Sequence, residues 1–194
     1  MHSRKHKKIH AVLLDRDGVI NEEVDLLHQK SQLRLLPRAG EAIALLNRNG
    51  VKAIVITNQP VVARNLCTEE ELNSIHGYLK ELLREHRAHL DAIYYCPHHP
   101  DKGYLEENPV YKRQCRCRKP GIGMVEDALR DFSLSPEECI MVGDSTVDIE
   151  TGKRAGMRTL LVRTGYAGKD GKHPAKADLE AADLFDAAKK ILLS

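Results

Sequence analysis

Five short apolar runs punctuate the chain: Ile9–Leu14, Val51–Ile56, Ala92–Tyr95, Cys139–Val142 and Thr159–Val162. Each is rich in Val, Ile, Leu or Tyr, the pattern of parallel strands buried on both faces. Between them the spacing turns helical. Arg38–Asn49 carries Ala39, Ile43, Leu45 and Leu46 to one side, and Gly50 follows as a stop. Thr68 and Glu71 form a capping box that opens a helix to about His89, with Leu72, Ile75, Leu79, Leu82 and Leu83 as its stripe. Gly123–Phe132 and Val147–Ala155 predict two more helices, and Ala181–Leu193 a last one. Strand alternating with helix predicts an α/β domain, Rossmann-like, with a mainly parallel sheet. Residues 1–194 read as one domain without repeat or linker, and no second domain or large insertion is present to cap a site. Glu22–Leu36 is long enough only for a small flap, in which Leu26, Leu27 and His28 either touch a ligand or pack beneath it.

Composition narrows the class. Of the 194 residues 42% are hydrophobic, ordinary for a globular protein. No apolar run approaches the roughly 20 residues of a membrane span. The segment from Met1 to Lys8 is basic but has no apolar stretch, so it reads as a solvated tail rather than a signal peptide. A net charge of +2, no Trp and only two Phe give no reason to invoke nucleic acid or a membrane. Five cysteines without a signal peptide argue for a reducing, cytoplasmic setting. Cys67 is expected in a loop and Cys139 in the core.

Ligands of open parallel sheets bind beyond the carboxyl ends of the strands. Asp15-x-Asp17-Gly18 follows the first run, Thr57-Asn58 the second, Cys96 the third and Gly143-Asp144 the fourth, so four polar motifs fall at one edge. Paired carboxylates can hold a divalent cation, attack as a nucleophile or move a proton; the same string also suits a solvated turn. Thr57 and Asn58 can hydrogen-bond phosphate oxygens or cap a turn. Arg118 and Lys119 place two cations side by side, one suited to a bidentate clamp and one to a point charge. Asp144 is a candidate metal ligand, and Asp148 either assists it or caps a helix.

In that order, D-x-D-G, T-N, R-K-P and G-D-x-x-x-D, the motifs resemble those of the haloacid dehalogenase-like hydrolases, over about Ile9 to Val162. The resemblance implies a phosphatase. Asp15 would be the nucleophile that becomes an aspartyl-phosphate, and Asp17 the general acid and then base. Thr57 would bind the transferring phosphoryl group, and Lys119 would neutralise it together with Asp15. Asp15, Asp144 and the backbone carbonyl of Asp17 would hold catalytic magnesium. These roles suit a reaction whose transition state spreads charge over phosphoryl oxygens.

Cys96-Pro-His98 and Cys115-Arg-Cys117 form a second cluster. Three thiols and one imidazole make a closed tetrahedral zinc set, the composition of a structural site. His99 and Cys139 are spare candidates, His99 a bystander. The intervening segment, 96–117, holds Pro100, Gly103 and Pro109 and little apolar material, so a metal clip would order it ahead of Arg118 and Lys119.

A C-x-H…C-x-C loop before R-K-P is similar to that of the D-glycero-D-manno-heptose 1,7-bisphosphate phosphatases and the related histidinol-phosphate phosphatases. In that group Arg118 would contact substrate and Asn58 would lie beside it. Pro60–Asn65 departs from the group's S-G-[IV]-A-R-G: Val61 and Asn65 stand where it has glycine, and of the two only Asn readily accepts a positive φ. The resemblance implies magnesium-dependent hydrolysis of a small sugar phosphate, a heptose 1,7-bisphosphate first of all, by a cytoplasmic monomer. Histidinol phosphate or another small phosphomonoester is the alternative. A nucleic-acid end phosphatase and a zinc-clipped binding module without turnover are the remaining readings.

Overall fold

The computed structural model describes residues 8–101, 103 and 107–193. The basic tail lies outside them except for Lys8, as do positions 102 and 104–106 of the cysteine loop. Among the described residues six parallel strands form one sheet: β1 (Ala11–Leu14), β2 (Lys52–Asn58), β3 (Ala92–Cys96), β4 (Cys139–Gly143), β5 (Arg158–Val162) and β6 (Leu179–Ala181). Their order is β3-β2-β1-β4-β5-β6. Five α-helices among the described residues cover both faces: α1 (Ala39–Arg48), α2 (Glu69–Glu85), α3 (Gly123–Asp131), α4 (Thr146–Arg154) and α5 (Leu184–Leu192).

The period of two along β1 divides the core. Val12 and Leu14 join residues of α1, α2 and α5 on one face. Ala11 and Leu13 join Met124, Val125 and Ala128 of α3 on the other. α4 lies on that second face too, where Gly152 lets it approach Met141 and Thr159: a Cβ there would sit 2.6 Å from Thr159 Cγ2. Burial on both sides is why β1, β2 and β4 read as continuous apolar runs rather than alternating ones, whereas edge strand β3 is half-buried up to Cys96.

The expected elements form, with corrections at three ends. α2 stops at Glu85, short of His89, because Arg87 takes a φ of 58° and the chain turns back, Ala88 N–H donating to Leu83 O. The other two corrections lie at the C-terminal end. The sequence assigns Ala181 to the last helix and sees no strand before it, yet Leu179–Ala181 is edge strand β6 beside β5. The period-two signal of a three-residue strand is too short to read. α5 starts only after Asp183, whose carboxylate accepts from the Asp186 N–H at 2.7 Å. Asp183→Ala is expected to cost about 1 kcal/mol, the usual value of an N-cap, and to lower Tm by about 2–4 °C in a thermal melt.

The strand order reverses between β1 and β4. Register aligns their ends, Leu14 pairing with Val55 of β2 and Val142 of β4. The residues following them therefore emerge at the switch point, where a crevice opens. The Glu22–Leu36 flap folds over one side of it, its backbone tied where Asn21 bridges Asp17 and Leu35. Leu27 and Leu33 bury into the core, so much of the flap is packing. Leu26 reaches the crevice, whereas His28 lines a separate groove against α2.

Candidate active site

A cavity of about 190 Å³ occupies the crevice, and Asp15, Asp17, Asn58, Arg118, Lys119 and Asp144 all line it. The four motifs thus converge as the strand order requires. Thr57 alone lies beneath the lining; it is 1% exposed, and its Oγ1 accepts from Gln59 Nε2 at 2.9 Å.

The two aspartates share the cavity but not their partners. Asp15 faces a charged cluster. Lys119 Nζ lies 3.0 Å from Asp15 Oδ2 and 2.5 Å from Asp148 Oδ1, and Asp15, Asp144 and Asp148 bring carboxylate oxygens within 4.8 Å of one another. Three carboxylates against one ammonium leave two negative charges uncompensated when all are ionised. Burial first, then Asp148, push Asp15 up to about 7 despite the opposing pull of Lys119. Burial first, then Asp15 and Asp148, push Asp144 up to about 8. Buried hard-oxygen donors with that excess charge fit a divalent cation, which would draw both carboxyls back down.

Asp17 is treated differently. Burial would raise it, but the Arg16 guanidinium and hydrogen bonds from Asn21, Arg16 and Gln59 outweigh that and lower its pKa. Asn21 Nδ2 donates to Oδ1 and Gln59 Nε2 to Oδ2, each at 2.8 Å. Arg16 is wholly buried, and His76 beside it is pushed down to about 3, by burial first and then by the Arg16 charge. One carboxyl is therefore raised and its neighbour two residues on is depressed, the reverse of an ionised nucleophile at Asp15 and a protonated acid at Asp17; a cation in the cluster would ionise Asp15, and a substrate anion beside Asp17 would raise it.

Several of these contacts are not visible in the motifs. Asn58 uses both ends of its amide on the Lys119 backbone: Nδ2 donates to the carbonyl at 3.1 Å and Oδ1 accepts from the N–H at 2.9 Å. It carries Lys119 into place as well as lining the cavity. Asp148 does two things at once. Oδ1 pairs with Lys119, and Oδ2 accepts from Ser145 N and Oγ to cap α4. The loop after β5 was not picked out from sequence. Its Tyr166 N–H donates to Asp144 Oδ2 at 2.7 Å, and Thr164 Oγ1 donates to Gly18 O at 2.6 Å. Thr164-Gly165 does end a strand at the same sheet edge, which was the available signal. Gly18 and Gly165 flank the Asp144 carboxylate so closely that a Cβ on either would lie 2.3 or 2.0 Å from Oδ2. Gly18→Ala, with φ at +73°, is expected to displace Asp144 and reduce turnover at least tenfold, measured as phosphate release.

The second cluster also assembles. Sulfurs of Cys96, Cys115 and Cys117 lie 3.0–3.5 Å apart, and His98 Nδ1 is 3.7 Å from Cys96 and 3.4 Å from Cys117. Zinc–sulfur bonds of ~2.3 Å imply tetrahedral edges of about 3.7 Å, so the four donors need little movement to take zinc. Cys139 is core at the start of β4, and Cys67 lies in the loop before α2, packed with Val61, Val62 and Leu72. His99 lines the cavity instead of joining the cluster. Arg118 follows the ligands at once and donates from Nη1 to His98 O at 3.0 Å. In the departing loop Asn65 does hold a φ of 56°, while Val61 is buried without a positive φ.

Comparison with known proteins agrees with this architecture. A family model described as HAD-hydrolase-like matches residues 116–187. The D-glycero-D-manno-heptose-1,7-bisphosphate 7-phosphatase of Chlorobaculum tepidum is 36% identical over 190 residues, 94% of each chain. That match decides the family. The chain belongs to the haloacid dehalogenase-like hydrolases, in the same family as that phosphatase. The D-glycero-alpha-D-manno-heptose-1,7-bisphosphate 7-phosphatase of Photorhabdus laumondii is 34% identical, over 96% of this chain and 99% of its own. Among solved structures, the D,D-heptose 1,7-bisphosphate phosphatase of B. bronchiseptica, complexed with magnesium and phosphate, superposes with a TM-score of 0.82 at 31% identity, covering 95% of this chain and 99% of that one. Among the described residues no helix is long and apolar enough to cross a membrane.

Proposed function

We propose that this phosphatase removes the 7-phosphate of D-glycero-D-manno-heptose 1,7-bisphosphate through an aspartyl-phosphate on Asp15, with magnesium. The observation that carries the reading is the cluster of Asp15, Lys119, Asp148 and Asp144 at the cavity floor, in a chain whose relatives bear that activity in their names.

Asp15 attacks phosphorus as the bond to the sugar oxygen breaks. Asp17 gives that oxygen a proton, and the heptose 1-phosphate leaves. Asp17, now ionised, takes a proton from water, whose oxygen attacks the phosphorus of the aspartyl-phosphate. Inorganic phosphate departs and Asp15 is regenerated. Lys119 and the Thr57 hydroxyl meet the charge on the transferring group. Asp15, Asp144 and the backbone carbonyl of Asp17 would hold magnesium, whose charge lets one anion approach another. Cys96, His98, Cys115 and Cys117 would hold structural zinc, with no position open for chemistry.

The cavity walls support a phosphorylated sugar. Arg64, Arg118 and Lys172 line it on behalf of phosphate, and Glu23, Asp25 and Asp170 supply acceptors for hydroxyls. The protein is read as a cytoplasmic monomer that acts on this small substrate. Phosphorus NMR with magnesium tests the reading. The 7-phosphate resonance should be replaced by inorganic phosphate while the 1-phosphate persists. Loss of the 1-phosphate first, or faster hydrolysis of histidinol phosphate, would overturn it.

A further inference from the structure

Arg16 stands between the two aspartates, and the mechanism above gives it no task. Burying its guanidinium is costly unless the charge is paired and its donors are satisfied. Three contacts go to Asp17: Nε to Oδ1 at 3.1 Å, Nη2 to Oδ1 at 2.8 Å and Nη2 to Oδ2 at 2.9 Å. A further contact joins Nη1 to Nε2 of His76 on α2, 3.2 Å away. Arginine has only donors, so His76 Nε2 presents a lone pair and the ring proton sits on Nδ1. His76 is 4% exposed, and its ring packs against Tyr95 with 5.4 Å between centroids. The Tyr95 hydroxyl donates to Glu69 Oε2 in the first turn of the same helix. The imidazole is thus gripped between α2 and the end of β3.

We propose that His76 is a positioning residue: by accepting from Nη1 it locks the Arg16 guanidinium, and the guanidinium locks the Asp17 carboxylate toward the leaving oxygen. The inference rests on the reading of Asp17 as proton donor. Asp17 has two other side-chain ties, single bonds from Asn21 and Gln59, about which a carboxylate can pivot. A planar fork holding both oxygens resists rotation. Without an acceptor at position 76, Nη1 is left unsatisfied in a buried site, and the fork is drawn away from Asp17. Misplacing a catalytic group by an ångström can cost on the order of a hundredfold.

The leaving group separates this role from a merely structural one. A sugar alkoxide needs a proton as it departs, whereas a nitrophenolate leaves well without one. The measurement is the rapid-quench rate of aspartyl-phosphate formation, with magnesium, from heptose 1,7-bisphosphate and from p-nitrophenyl phosphate, because hydrolysis of that intermediate, in which Asp17 acts as base, is common to both substrates. In this first step His76→Leu should lose about tenfold on the sugar phosphate and less than about twofold on the aryl ester. His76→Gln, whose Oε1 accepts from Nη1, should recover most of the loss. Equal losses on both substrates, or no loss on the sugar phosphate, would overturn the inference. Asp17→Asn is the separate check: equal losses there would refute the proton-donor reading itself. Should His76→Leu fail to fold, Arg16→Lys, which keeps the charge but not the fork, carries the same expectation.

Discussion

Asp15→Asn should abolish phosphate release, by at least about 10⁴-fold, and leave the protein folded. Asparagine keeps the shape of the side chain but presents an amide that does not attack phosphorus. The fold should tolerate it because Asp15 sits in a cluster with excess negative charge. Lys119 keeps Asp148 at 2.5 Å when Asp15 becomes neutral. Burial and Asp148 raise the Asp15 pKa from 3.8 to about 7, so the folded state binds this proton more tightly than the unfolded chain does. In cation-free buffer, stability should therefore fall as pH rises from about 4 to 7. The variant should show a shallower fall, with Asp144 still contributing. Thermal melts across that window check the slope, and a phosphate assay checks turnover. Substantial residual activity would remove Asp15 from the nucleophile's role.

Cys115→Ser should lose zinc and, through it, the order of the segment leading to Arg118 and Lys119. The sulfur of Cys115 lies 3.5 Å from Cys96 and 3.2 Å from Cys117, so it completes the set rather than standing aside. A serine hydroxyl is a poor substitute for a thiolate toward zinc, and three ligands hold the metal far less tightly than four. Tyr111 also ties the loop down, its hydroxyl donating to Glu69 Oε1 at 2.7 Å. That single bond is small beside the roughly 10–16 kcal/mol that a structural zinc supplies to folding. Mass spectrometry should find about one zinc in the wild type and almost none in the variant. Deuterium uptake should rise across 96–119, and kcat should fall about tenfold or more because Lys119 is no longer fixed against Asp15. Full zinc occupancy in the variant would contradict this ligand set.

The sheet and the convergence of the motifs were legible because both follow from local periods. An apolar run of four to six residues announces a buried strand, and parallel order then sends Asp15, Asn58, Cys96 and Asp144 to one edge. Less legible was what those residues touch. The partner of Arg16 lies 60 positions away on α2, and nothing in D-R-D-G distinguishes an arginine that points to solvent from one fully buried. Asn58 read as a phosphate donor from its place after Thr57. Its grip on the Lys119 backbone depends on a loop 61 residues on, tied down by the cysteine cluster and by Tyr111 on Glu69. Asp148 reads from sequence as a helper of the metal or a helix cap; in the fold one oxygen caps α4 and the other pairs with Lys119, a contact the motif does not announce. β6 escaped because three residues at a sheet edge carry no period, and its Asp178 anchor on Thr159 is a long-range contact.

In this mechanism the phosphoryl group passes through Asp15. Acid-quenched wild-type protein, mixed with magnesium and heptose 1,7-bisphosphate and digested for mass spectrometry, tests it most directly. A phosphorylated peptide whose modified residue is Asp15 is expected, and it should be absent from Asp15→Asn. Phosphate release with no phosphorylated chain at any quench time, or a phosphoryl group on another residue, would contradict it.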